Sequence, residues 1–269
     1  MQNISKIVAA VGTAAGSSSA QAKPGLTFTH APDPRHPLDA AFARLKRAQE
    51  HFASLLDRAA LRERAQVNAF GLNPNPNGPK QIALDVGPGI KLPIDFMFAI
   101  LVGEICYNLR SALDYLVYEL AIRDSGGIRM TQFPIEKNAA AFAARRRPGN
   151  FLDGINNSHV AAIETLQPYL GCTWTAPLQD ISNPDKHRTL VGISGEHNVQ
   201  VDTSDSEQKL EGHPGIIRRA ETGDGTVMFL RFNIATVISF ADGSPVIEPL
   251  RKITEEVEKT LNYFKPSFS

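Results

Sequence analysis

Most signatures of a dedicated site are missing from this 269-residue chain. It has two cysteines, Cys106 and Cys172. Two isolated thiols make neither a disulfide framework nor a cysteine zinc site, which needs clustered pairs. A single bridge between them stays open, and Cys106 falls inside an apolar helical pattern, where a thiol belongs to a core. None of the seven histidines stands in a His-x-x-x-His or His-Glu-x-x-His arrangement, which excludes the common helical metal motifs. There is no Gly-rich phosphate loop and no Gly-x-Ser-x-Gly elbow. Charge excess is also absent: 28 Lys and Arg balance 28 Asp and Glu. A neutral chain has no overall field that draws it to nucleic acid or to an anionic membrane, so a nucleic-acid partner is not favoured and would need a local patch. No uninterrupted apolar run approaches the roughly 18 residues of a membrane span. These absences lead us to expect no metal, no cofactor and no membrane partner.

The chain is, however, 42% hydrophobic, enough to bury a sizeable core. Residues 1–36 are rich in Ala, Ser, Gly and Pro without sustained periodicity and read as a disordered extension. Lys6, the run Ile7–Val11 and Ala20-Gln21-Ala22 resemble a weak leader with a cleavage site. Gly12, Thr13 and Gly16 dilute that pattern, and a cytoplasmic location is expected. Residues 37–269 read as one domain, with a helical part over 37–190 and a β-rich part over 191–269.

Within the helical part, Leu38, Phe42, Leu45, Phe52, Leu56 and Ala59 space an amphipathic helix of about thirty residues. It ends before the Gly71–Pro79 breaker segment. Ile82, Leu84 and Val86 alternate, and so do Ile90, Leu92, Ile94 and Phe96, with Gly87-Pro88-Gly89 as the expected hairpin turn between them. A second long helix is expected over Phe96–Arg123, with Leu101, Ile105, Leu109, Ala112, Leu113, Leu116 and Leu120 as its apolar side. Gly126-Gly127 stops it. Short helices follow near Ala139–Arg145 and after Asn157-Ser158, and another opens at Ser182-Asn183-Pro184. Strands are expected over Thr189–Val201, Gly215–Ala220, Thr226–Phe232 and Ala235–Phe240, with Gly223-Asp224-Gly225 as a turn. A helix from Pro249 to Phe264 closes the chain. The fold class is α+β: a helical bundle with a small hairpin, then an antiparallel sheet and a C-terminal helix.

Two segments could carry chemistry. On the second long helix, Glu104, Asn108, Ser111 and Tyr115 fall on one line, with Arg110 and Asp114 beside them at a pairing distance of four residues. Short, directional polar groups suit a semi-buried hydrogen-bond network better than a solvated face. The second segment, Asp185-Lys186-His187-Arg188, puts a carboxylate, an amine, an imidazole and a guanidinium in succession. Asp185 and Arg188 could pair and leave His187 presented. The bland counterparts are a network that locks helices together and a capped helix start.

The motifs Asn108–Asp114, Phe133-Pro134-Ile135, Leu166-Gln167-Pro168-Tyr169 and Asn183-x-Asp185-Lys186-His187-Arg188, taken in order, resemble a bacterial and phage protein family to which no function is assigned. A more distant similarity is to HEPN ribonucleases, whose site joins an arginine to a histidine a few residues on. That resemblance implies Arg110, Asp114 and His187 as catalytic groups. Here Tyr115 stands where the histidine would be, which removes the general base. Whether the chain is an enzyme stays open. The leading expectation is a module that binds a small ligand or a protein partner. Its polar cleft would lie between Glu104, Asn108, Ser111 and Tyr115 on one side and Asp185, Lys186 and Arg188 on the other. The first long helix could also pair two copies.

Overall fold

A helix of 31 residues, α1 (Asp39–Ala69), is the first element of the described chain. Leu38, Ala41, Leu45, Ala48 and Leu55 are its buried residues in the main core, while Phe42, Phe52 and Ala59 are half-buried beside them. The inward face therefore alternates leucines with small alanines, and the large aromatics Phe42 and Phe52 flank it. The computed structural model describes residues 36–74, 82–85, 95–127, 130–187, 193–211, 215–240 and 242–269, with backbone alone at 69, 74, 82–85, 183–187, 193–199, 235 and 236. All belong to one compact unit, Pro34–Ser269. The expected disordered extension, the leader-like segment and the Gly87-Pro88-Gly89 turn lie outside the described residues.

The described residues add a strand pairing that alternation did not suggest. The strand β2 (Ile82–Asp85) pairs antiparallel with β1 (Gly71–Pro74), in the register Leu72 to Leu84. The proline-rich breaker that ends α1 thus itself supplies the first arm, because an extended backbone is what Pro and its preceding residue prefer.

The second long helix, α2 (Phe96–Ser125), has 30 residues. The Asp95 carboxylate caps it by accepting from the Met97 N–H at 3.1 Å. Gly126 ends it at φ 68°, a left-handed conformation that glycine adopts without strain. Leu101, Ile105, Leu109, Ala112, Leu113, Leu116 and Leu120 are all buried, as their spacing predicts. So are Phe98, Val102, Cys106 and Val117. By length and composition this helix could cross a membrane, but 67% of its most apolar window is buried inside the fold. It is the core helix around which α1, α5 (Thr175–His187) and α6 (Ile247–Phe264) pack. The C-terminal α6 presents Leu250, Ile253, Val257, Leu261 and Phe264 to that core at three and four residue steps.

Between α2 and α5 lie two short helices, α3 (Ala139–Ala144) and α4 (Asn157–Glu164). Asn156 caps α4 by accepting from the Ser158 N–H at 3.4 Å, one residue earlier than the spacing suggests. Asp124 at the end of α2 anchors this start by accepting from the Asn156 N–H at 2.9 Å and contacting His159 Nδ1 at 2.7 Å.

The expected helix start at Ser182 is a correction. The helix α5 already begins at Thr175, with Pro177 in its first turn, where a missing N–H costs nothing. Asp185 therefore sits in the last turn. There the dipole opposes a carboxylate, the reverse of the capped-start reading.

The β-rich part is a three-stranded antiparallel sheet in the order β3 (Ile193–Ser204), β5 (Val227–Phe240), β4 (Ile216–Glu221). The two strands expected over 226–240 are one continuous strand of 14 residues. Its C-terminal half pairs with β3 and bridges to Pro245 through Ser239, and its N-terminal half lies between β3 and β4. The turn at Gly223-Asp224-Gly225 holds, with Gly225 at φ 82°. There the Asp224 carboxylate accepts from the Thr226 N–H and the Thr222 hydroxyl, which holds it below its ordinary range. A second, smaller core of Val67, Phe70, Leu230, Phe232 and Ile234 joins the sheet to the end of α1. Arg218 of β4 completes that joint. Its guanidinium donates to the Val67 carbonyl at 2.9 Å and to the Phe70 carbonyl at 2.5 Å. The α1 C-terminus, which has no basic residue in its own last turn, thereby receives a cation from the sheet.

Candidate functional site

The motif residues of α2 divide into an inner and an outer set. Arg110 is only 5% exposed. Its guanidinium donates to the Phe133 carbonyl and lies 3.6 Å from Asp114. Asp114 in turn accepts from the Phe133 N–H at 2.9 Å. The two side chains bracket one peptide residue, much as a neighbouring strand would, and pin the extended segment 131–136 against the helix. Burial pushes the Arg110 guanidinium below its ordinary range, opposed by Asp114 and Glu136.

Gln167 fixes the same segment from the other side. Its amide oxygen accepts from the Glu136 N–H at 2.8 Å, and its amide nitrogen donates to the Pro134 carbonyl at 2.9 Å and the Ile163 carbonyl at 3.1 Å. Arg145 adds a 2.6 Å contact to Glu136. Three of the four sequence motifs are thus one hydrogen-bonded unit around the buried Phe133, Pro134 and Ile135.

The outer set faces solvent. Glu104, Tyr107 and Tyr115 are exposed, and Ser111, Asp114 and Tyr118 half-exposed. Asn108 turns inward, donating to the Glu104 carbonyl at 2.8 Å and accepting from Arg44 of α1 at 3.4 Å. The Arg44 guanidinium lies 5.9 Å from the Tyr107 ring centre and 5.8 Å from that of Tyr115, within cation–π range. Arg44, Tyr107, Ser111, Asp114, Tyr115, Tyr118 and Thr131 line an open depression of about 290 Å³. Arg44, Tyr107, Tyr118 and Thr131 were not among the expected site residues. The tyrosines were legible from their steps of three and four residues. Arg44 and Thr131 come from other elements and have no local signal.

Of the predicted catalytic group, Arg110 and Asp114 adjoin each other. The side chains of Asp185, Lys186 and His187 at the end of α5, and all of Arg188, lie outside the description. Among the described residues no cluster of His, Cys, Asp and Glu could hold a metal ion, and Cys106 and Cys172 form no disulfide.

The arginine run at 145–147 is only partly solvated. Arg145 stacks 4.6 Å over the Phe151 ring and Arg146 donates to Asn157. A second groove, of about 400 Å³ and mostly apolar, lies where the starts of α5 and α6 meet, with Trp174, Pro177, Pro245 and Pro249 in its walls. No family model matches this chain, and no curated protein and no solved structure matches it significantly.

Proposed function

We propose that this chain is a binding module that engages a protein partner through the solvent face of α2. The observation that carries this reading is the composition of that face. From Ile100 to Ile122 it exposes two isoleucines and two tyrosines, with Tyr118 half-exposed beside them and with carboxylates but no exposed cation of the helix itself. An ordinary solvated helix face is dominated by Lys and Glu, and single exposed apolar residues need no explanation. Five in a line over six turns do.

A macromolecular partner fits better than a small ligand. The depression, at about 290 Å³, falls at or below the roughly 300–1,000 Å³ of enclosed ligand sites, and it is open and elongated. The Asp185–Arg188 segment is kept as the proposed second wall, since α5 packs against α2. The nuclease alternative needs the Arg110 guanidinium at an open site, and it is buried, with contacts to Phe133 and Asp114.

The test separates binding residues from structural ones. A triple variant Tyr107→Ala, Tyr115→Ala, Tyr118→Ala is expected to keep its unfolding free energy within about 0.5 kcal/mol per site, as surface changes do. A loss of several kcal/mol would make the face structural and end this reading. Thermal shift with a nucleoside monophosphate as probe is expected to show no stabilisation. A shift that disappears in Tyr115→Ala would instead assign the face to a small ligand.

A further inference from the structure

The exposed face of α2 has an internal symmetry. In order it reads Ile100, Glu104, Tyr107, Ser111, Tyr115, Tyr118, Ile122. These positions lie within about 40° of one line at roughly 100° per residue. About Ser111 the pattern is nearly a palindrome: isoleucine eleven residues to either side, tyrosine four to either side, and a carboxylate against a phenol at seven. Exposure follows the same symmetry, with Ile100 at 37% and Ile122 at 36%, Tyr107 at 43% and Tyr115 at 36%. Arg44 also obeys it, nearly equidistant from the two flanking rings.

A two-fold contact between identical surfaces requires this kind of self-complementarity, in which residue i meets j and j meets i. We infer that the partner is a second copy of this chain, with two α2 helices crossing antiparallel at Ser111; the inference rests on the reading of this face as a binding surface. In that register Ile100 meets Ile122 of the second copy, and Tyr107 meets its Tyr115. The Glu104 carboxylate accepts from the second copy's Tyr118 hydroxyl. Ser111 meets itself, and its small side chain permits close approach at the crossing point.

Charge fits as well. The register sets Asn108 of one copy level with Asp114 of the other. Arg44, which Asn108 accepts from, therefore faces the partly exposed Asp114 carboxylate across the contact. The face carries both signs, Arg44 from α1 beside the carboxylates of α2, and the two-fold sets each against the other. This pairing differs from one through α1, whose exposed Leu61 lies elsewhere on the surface.

Residue 111 lies on the two-fold axis, so Ser111→Cys provides the test. Under mild oxidation the full-length variant is expected to form a disulfide-linked dimer well above the wild-type background set by the buried Cys106 and half-buried Cys172. Bridging requires Cα atoms within about 7 Å, which makes the result specific to this register. Leu61→Cys is expected to stay uncrosslinked. Sedimentation of the wild type is expected to give twice the 29.3 kDa chain mass. In Ser111→Arg it is expected to give the single mass with an unchanged far-UV circular dichroism spectrum. A wild type that sediments at single mass up to high micromolar concentration overturns the inference, as does crosslinking at Leu61 without crosslinking at Ser111. Either result leaves the tyrosine triple variant to judge the binding face separately.

Discussion

Asp114 uses one carboxylate oxygen to hold the Phe133 N–H and to face the Arg110 guanidinium. Removing it leaves a buried donor without a partner, so Asp114→Ala is expected to lower the unfolding free energy by about 1–3 kcal/mol. Asp114→Asn keeps an acceptor oxygen and is expected to cost less; chemical denaturation of the two variants checks the order. The pairing of Arg110 with Asp114 was legible from their four-residue separation on a helix. What they jointly hold was not, because Phe133 joins them only through tertiary structure. Tyr169 gives a pH signature. Burial, helped by its bond to Glu164 at 2.6 Å, pushes its phenol up to about 12. A folded-state value above the unfolded one means stabilisation that is complete below pH 10 and lost as pH rises from 10 through about 12. Thermal midpoints are expected to fall across that window in the wild type, with a shallower fall in Tyr169→Phe.

Each helix end and strand shows how far a local pattern reaches. The long helices α1 and α2 were legible because an apolar residue recurs at helical spacing over many turns. The start of α5 was not, because Ser182-Asn183-Pro184 has a capping composition while lying in the later turns of a helix begun at Thr175. Nor was the partner of β2, since alternation marks a strand without naming its neighbour. Arg218 shows the same limit at the end of α1. It is far along the chain from the carbonyls it caps, and only the packing of the sheet brings it there. Arg218→Ala is expected to cost about 1–3 kcal/mol, as loss of a partner to buried carbonyls does. Hydrogen exchange is expected to quicken at the last turn of α1, around Gln66–Phe70, and to stay slow in the middle of α2.

For the molecule as a whole, the α+β class followed from the change of period near residue 190 and is what the structure has. The candidate site was legible in part. Glu104, Ser111 and Tyr115 do face solvent, whereas Asn108 and Arg110 are drawn into the interior, because a helix packed on most sides by α1, α5 and α6 leaves only a narrow strip outward. If that strip joins two copies, unfolding is coupled to association, and the melting temperature is expected to rise with protein concentration in the wild type and to be independent of it in Ser111→Arg. The groove at the junction of α5 and α6 has one more consequence. It holds Trp174, the only tryptophan of the chain, nearly buried among prolines. All indole fluorescence from this protein therefore originates at that one seam. Its emission wavelength is a label-free gauge of whether the C-terminal helix stays docked.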